Sequence, residues 1–134
     1  MLYKEGMTHP TPTAPVSWGE LIDKITILEI KTERLPGIKA RANAASELAL
    51  LRSAAGTAAG EVAGLAAELR QVNEALWEVE DALRDHEREG RFDDGFVQLA
   101  RSVYRHNDTR AGLKRQINQA LGSALVEEKG YKPY

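Results

Sequence analysis

The chain contains no cysteine. That absence removes disulfide scaffolds, thiolate nucleophiles, cysteine-type zinc sites and iron–sulfur clusters together. Aromatics are scarce at 6% of 134 residues, and no run of about 18 apolar residues is present to span a bilayer. An excess of one charge is missing too: 18 basic and 20 acidic side chains leave a formal charge of −2. That balance draws the chain to neither nucleic acid nor an anionic membrane. The opening residues lack the apolar stretch of a signal peptide, so the expected location is cytoplasmic. Phosphate-binding loops, Rossmann glycine runs, nucleophile elbows and a helix-borne H-E-x-x-H are all missing. His9, His86 and His106 do not have metal-ligand spacing, and no cofactor is expected.

What remains is helical text. The five prolines are Pro10, Pro12, Pro15, Pro36 and Pro133. A proline inside a helix costs about 3 kcal/mol, so residues 37–132 are open to long helices. Alternating β-branched strands with hairpin turn signals are absent, and Ala, Leu, Glu and Arg dominate. The expected fold is all-α, an antiparallel up-down-up-down four-helix bundle built from coiled-coil-like hairpins. Residues 1–16 read as a flexible amino-terminal arm, and 17–134 as a single bundle domain with a tail over 122–134.

Local signals set the helix limits. Ser17-Trp18-Gly19-Glu20 has the form of a capping box and opens the first helix, which Leu35-Pro36-Gly37 closes near residue 34. A second helix is expected over 38–55, then a turn at 56–60. The third runs from about 61 to 89, with Gly90 where a left-handed residue is wanted. Asp93 caps the fourth, with Phe92 and Val97 spaced as a hydrophobic staple, and Gly122 ends it. In the third helix Val62, Leu65, Leu69, Val72, Leu76, Val79 and Leu83 step by three and four, the seam of an antiparallel bundle. Trp18, Leu21, Ile25, Leu28, Thr32 and Leu35 repeat that rhythm in the first.

Two features exceed what one seam requires. On the first helix, Ile27 and Ile30 align with Glu20, Asp23 and Arg34, on the side opposite Ile25 and Leu28. Left in water, each isoleucine forfeits roughly 1.5–3 kcal/mol of burial, so a homodimer contact or the tail is expected to cover them. On the fourth helix, His106, Asn107, Arg110 and Lys114 interrupt the seam between Val103 and Ile117. Folding the helices back about their turns puts Arg110 near Asn73 of the third helix, Asn43 of the second and Thr32 of the first. Trp77 continues the stripe that begins at Asn73. This polar layer is either a satisfied hydrogen-bond network or a ligand pocket in which Arg110 and Lys114 receive a carboxylate or phosphate.

Charges elsewhere look structural. Residues 74–94 hold nine acids against three arginines, and 101–115 hold five bases against one acid, so Glu78 and Asp81 are expected to face Arg101 and Arg105. Glu20-x-x-Asp23 and Glu78-x-x-Asp81 loosely resemble the paired carboxylates that hold Mg²⁺ in all-α nucleotide pyrophosphohydrolases, which makes these four an alternative metal set. Glu20 is, however, already placed as a cap, with Lys24 one turn on. Residues 17–35 also resemble the first helix of the all-helical chorismate mutases, small enzymes that grip a dicarboxylate with Arg and Lys. In that alternative Arg34, Arg110 and Lys114 would take the grip.

A broader resemblance rests on the string SWGELIDKITILEIK at 17–31 and on Asn73-Glu74-Ala75-Leu76-Trp77-Glu78. It continues in Leu99-Ala100-Arg101-Ser102-Val103-Tyr104, Asn107-Asp108 and Glu127-Glu128-Lys129. Through these the chain is similar to a bacterial family of unknown function, over most of 16–134. Members of that family sit as short proteins or modules beside glycosyltransferase segments. The resemblance therefore implies a link to surface glycan assembly and a glycosyltransferase partner, with no catalytic residues to carry over. The expected function is a non-enzymatic helical module that binds a partner or a small anion; a small all-α enzyme acting on an anionic metabolite or nucleotide is the alternative.

Overall fold

A computed structural model describes residues 9–134. Of the expected 1–16 arm, residues 1–8 lie outside the described residues; 9–16 are exposed and carry no helix or strand. Five helices follow, α1 (Trp18–Arg34), α2 (Ile38–Ala55), α3 (Ala58–Glu61), α4 (Ala63–Glu89) and α5 (Asp94–Ala120), with no strand among the described residues. The fold is all-α. No helix is long and apolar enough to cross a membrane.

The helix limits follow from local chemistry. The Ser17 hydroxyl accepts the Glu20 amide at 3.1 Å and caps α1. The Glu20 carboxylate does not turn back to complete the box; it meets Lys114, and Lys24 pairs with Glu47 instead of Glu20. Leu35 is extended ahead of Pro36, which stops α1. The expected 56–60 turn forms at Gly56-Thr57, where Gly56 takes φ 56 and ends α2; a single helical turn, α3, follows it, and a second break falls at Val62. The third long helix therefore starts at Ala63. Gly90, at φ 64, closes α4 in the left-handed conformation. Asp93 caps α5 by accepting the Phe96 amide at 3.0 Å. Phe92 and Val97 do not form a staple; both are largely exposed, and Phe92 lies edge-on to Phe96 with ring centroids 5.1 Å apart.

Helices α4 and α5 pack along one another as a hairpin, α1 lies against both, and α2 folds back on α1. Ile22, Ile25 and Leu28 of α1 meet Ala44 and Leu48 of α2, Leu69 of α4, and Leu113 and Ile117 of α5 in one core. At Gly19 an added Cβ would stand 2.5 Å from the Lys114 carbonyl oxygen, so α1 crosses α5 with backbone nearly touching backbone. The Gly19 amide there donates to Asn118 Oδ1 at 2.7 Å.

This arrangement corrects the expected dimer stripe. Ile30 is 1% exposed within the single chain, and Ile27 is half-buried. The stripe is covered because its neighbours seat it on the hairpin: Glu20 meets Lys114, Asp23 meets Arg110, and Arg34 meets Glu78. Away from that seat, α4 and α5 cover themselves poorly. Past Asn73 only His86 of α4 is buried, and α5 buries nothing before Leu113. Glu78 and Asp81 do not pair with Arg101 and Arg105 as expected. Glu78 is drawn to Arg34, while Asp81, Arg101 and Arg105 have no ion-pair partner among the described residues.

Candidate functional site

The centre of the polar layer is Asp23, whose side chain is 1% exposed. It sits on the α1 stripe that faces the hairpin, so α5 and α4 deliver the groups around it. Arg110 forks onto it, Nε donating to Oδ1 at 2.9 Å and Nη2 to Oδ2. Asn73 Nδ2 donates to the same Oδ1 at 2.9 Å and to Thr26 Oγ1 at 2.9 Å, and the Thr26 hydroxyl donates to the Asp23 carbonyl at 2.8 Å. A buried carboxylate costs several kcal/mol unless paired and hydrogen-bonded; here a bidentate guanidinium and an amide meet that need.

One turn along α5, Lys114 is 7% exposed yet touches three carboxylates. Its Nζ lies 2.9 Å from Glu127 Oε1, 3.1 Å from Glu20 Oε2 and 3.8 Å from Asp23 Oδ2. Desolvation, the largest influence, pulls the ammonium down, but the hydrogen bonds it donates to Glu127 and Glu20 and the charge of Asp23 outweigh it and leave its pKa above the ordinary lysine value. Glu127 is held below the usual carboxylate range, first by the Lys114 hydrogen bond, with Lys129 adding to it against desolvation. The hydrogen bonds it donates to Asp23 likewise hold Arg110 above its ordinary value against the cost of burial.

Glu127 comes from the tail, which is fixed at its root. Ser123 Oγ accepts the Trp18 amide at 3.2 Å and donates to the Leu125 carbonyl at 2.6 Å, just after Gly122 turns the chain at φ 60. Farther along, Tyr134 lies edge-on to Tyr104 at 4.9 Å, and the neighbouring Asp108 carboxylate holds its phenol above the ordinary value. Between α5 and this strap lies a cavity of about 520 Å³. Asn107, Asp108, Arg110, Lys114 and Arg115 line it from α5, Glu20 from α1, and Glu127, Lys129, Tyr131 and Lys132 from the tail.

Of the residues assigned to a pocket from sequence, Asn107, Arg110 and Lys114 share this cavity, and Asn73 lies beneath it on Asp23. His106 does not share it; it lines a separate depression with Gln71, Val72 and Thr109. Trp77 is half-buried and outside the cavity lining. Thr32 spends its hydroxyl on the Glu29 carbonyl at 2.7 Å. The residue level with Arg110 on α1 is Asp23, more than two turns earlier, because a seam with a regular step leaves the sliding of one helix along another undetermined. Asn43 is displaced for the same reason, to a groove with Leu35 and Ala40.

The alternative metal set is not assembled. Glu20 and Asp23 face Lys114 and Arg110, and Glu78 faces Arg34. No group of three or more His, Asp or Glu side chains suited to a metal ion occurs among the described residues. Of the three groups named for a dicarboxylate grip, Arg110 and Lys114 share the cavity, while Arg34 is engaged by Glu78. Asp23 is the residue that sequence reasoning misassigned. An acid one residue after Ile22 on the α1 stripe that carries Ile27 and Ile30, with an arginine interrupting the α5 seam, was the available sign of a buried ion pair.

The geometry describes an all-α protein whose central helix is tied to a helical hairpin by a buried aspartate, with a cation-lined cavity beside it. Residues 13–134 match the model of the family of unknown function DUF6165, and the chain belongs to that family. No curated protein and no solved structure matches it.

Proposed function

We propose that this chain is a helical binding module for a small anion, which it takes in the cavity between α5 and the tail. The observation that carries this reading is the charge left over there. Glu20 and Glu127 are both engaged by Lys114, whereas Arg115 and Lys132 have no ion-pair partner among the described residues. Five cationic side chains line the cavity against three acids. Arg110 and Lys114 form its floor with their charge met by Asp23, Glu20 and Glu127, so the surplus charge is that of Arg115 and Lys132. Asn107 and Asp108 add groups that can bond hydroxyls, which suits a phosphorylated or carboxylated polyol. The resemblance noted from the sequence implies neighbouring glycosyltransferase segments, so sugar phosphates and sugar nucleotides are the first probes.

The buried layer beneath favours a second role that is purely structural. Asp23, Thr26, Asn73 and Arg110 satisfy one another and leave no vacancy for a guest. The ligand surface is therefore the outer cavity alone. A thermal-shift screen with inorganic phosphate, glucose 1-phosphate, a uridine diphosphate sugar and succinate tests the reading. Saturation at 100 times Kd adds about 2.7 kcal/mol of apparent stability. The joint change Arg115→Ala and Lys132→Ala is expected to remove that gain while leaving the unliganded melting temperature near wild type. A flat response to every probe overturns the proposal.

A further inference from the structure

We propose that the outer half of the α4–α5 hairpin is a docking surface for a second copy of this chain. The proposal is independent of the anion site. The last α1 residue, Arg34, reaches Glu78, so beyond that point two helices stand without a third. Their seam there, Val79 and Leu83 against Leu99 and Val103, is half-buried, and at the tip Phe92 is 56% and Val97 46% exposed. Two helices cover one side of each other's apolar stripe and leave the flanks to water, so an arm of this composition gains by meeting another.

Charge says what the other surface is. Within the acidic α4 and its turn, Glu80, Asp85, Glu89 and Asp93 are neutralised locally by Arg84, Arg88 and Arg91. Asp81 and Glu87 have no ion-pair partner among the described residues, and neither do Arg101 and Arg105 of α5. One helix of the arm is left acidic and the other basic. The His86 ring packs on Phe96 with centroids 5.9 Å apart, which fixes the level. Five residues before His86 and five after Phe96, Asp81 and Arg101 stand at the same height.

A twofold axis running along the arm lays α4 over the partner's α5, and α5 over the partner's α4, with equal heights matched. Acid then meets base twice. An axis across the arm would instead set α4 on α4, acid on acid. The unpaired charges select the first geometry, an intermolecular four-helix bundle with an isologous contact. The net charge of −2 offers no comparable match to a nucleic acid or an anionic membrane.

Light scattering and sedimentation at tens of micromolar test the assignment. The full chain is expected at twice 14.8 kDa. R101E/R105E makes both helices of the arm acidic, and D81R/E87R makes both basic. Each variant alone is expected to weaken association by at least about tenfold, with helical circular dichroism unchanged. An equimolar mixture is expected to recover the dimer, because each variant supplies the charge that the other lacks. A wild-type mass of one chain across the micromolar range overturns the proposal, as does a dimer that survives in either variant. Loss in both variants without recovery on mixing overturns the twofold geometry.

Discussion

Asp23 joins three helices through one carboxylate. Arg110 of α5 and Asn73 of α4 both donate to it, and Lys114 lies 3.8 Å away. Replacing it with asparagine leaves a guanidinium and a buried ammonium short of their shared counter-charge. Asp23→Asn is expected to cost about 3 kcal/mol or more, read from urea unfolding. A loss under 1 kcal/mol would show that Arg110 reaches water freely enough to do without it. Glu127 gives a different residue-scale expectation. Its folded pKa is depressed by Lys114, so the tail contact stabilises the fold above the ordinary glutamate pKa of about 4.3 and is lost as pH falls through the lower folded value. Lys114 is shifted the opposite way, and its contribution fades only as pH rises above the ordinary lysine range. The tail's side-chain NMR shifts should therefore hold constant through neutral pH and move below about pH 4. Glu127→Gln should remove that acid limb; an unchanged profile in the variant would detach the tail from Lys114.

At the scale of elements, the helices differ sharply in how much they bury. Seven residues of the 17-residue α1 are buried, against three of the 18 in α2, two of them alanines. Helix α2 also lacks a side-chain cap at its N-terminus. Little apolar area and a weak cap leave it with a low local opening energy. Hydrogen exchange is expected to release α2 amides well before those of α1, and equal protection would mean that α2 has further support. The helix limits were legible for the same local reasons. Ser17, Pro36, Gly90 and Asp93 act within four residues of themselves, and each does in the structure what its type suggests. The 56–60 segment was legible in part: Gly56 makes the turn its type suggests, but the alanines after it add a helical turn that ends only at Val62.

At the scale of the molecule, what was hard to read is how the helices slide and rotate against one another. The all-α class and the existence of a polar layer around Arg110 were visible in the hydrophobic step and its interruptions. The partner of Arg110 was not, because the same 3-4 spacing accepts Thr32 or Asp23 at its level. The second apolar stripe on α1 was real, but its Ile30 is buried within the single chain, and Ile27 is half-buried there. A sequence shows that Ile30 wants burial; it does not show which surface provides it. The tail strap was illegible for another reason: its hold on the protein is an ammonium, a hydroxyl and a pair of tyrosine rings, with no periodicity to announce them.

The near-contact of α1 with α5 at Gly19 bears on how the protein is made. The amide of Gly19 waits for a side chain 99 positions downstream, and the carboxylate of Asp23 for one 87 positions downstream. Translation at roughly 5–20 residues per second delays those partners by several seconds at least. During that interval the helix that buries the most residues in the finished fold is outside the ribosome without its α5 partners. Nascent α1 is thus the segment on which a holdase would settle, and release would be timed by the arrival of residues 110–118.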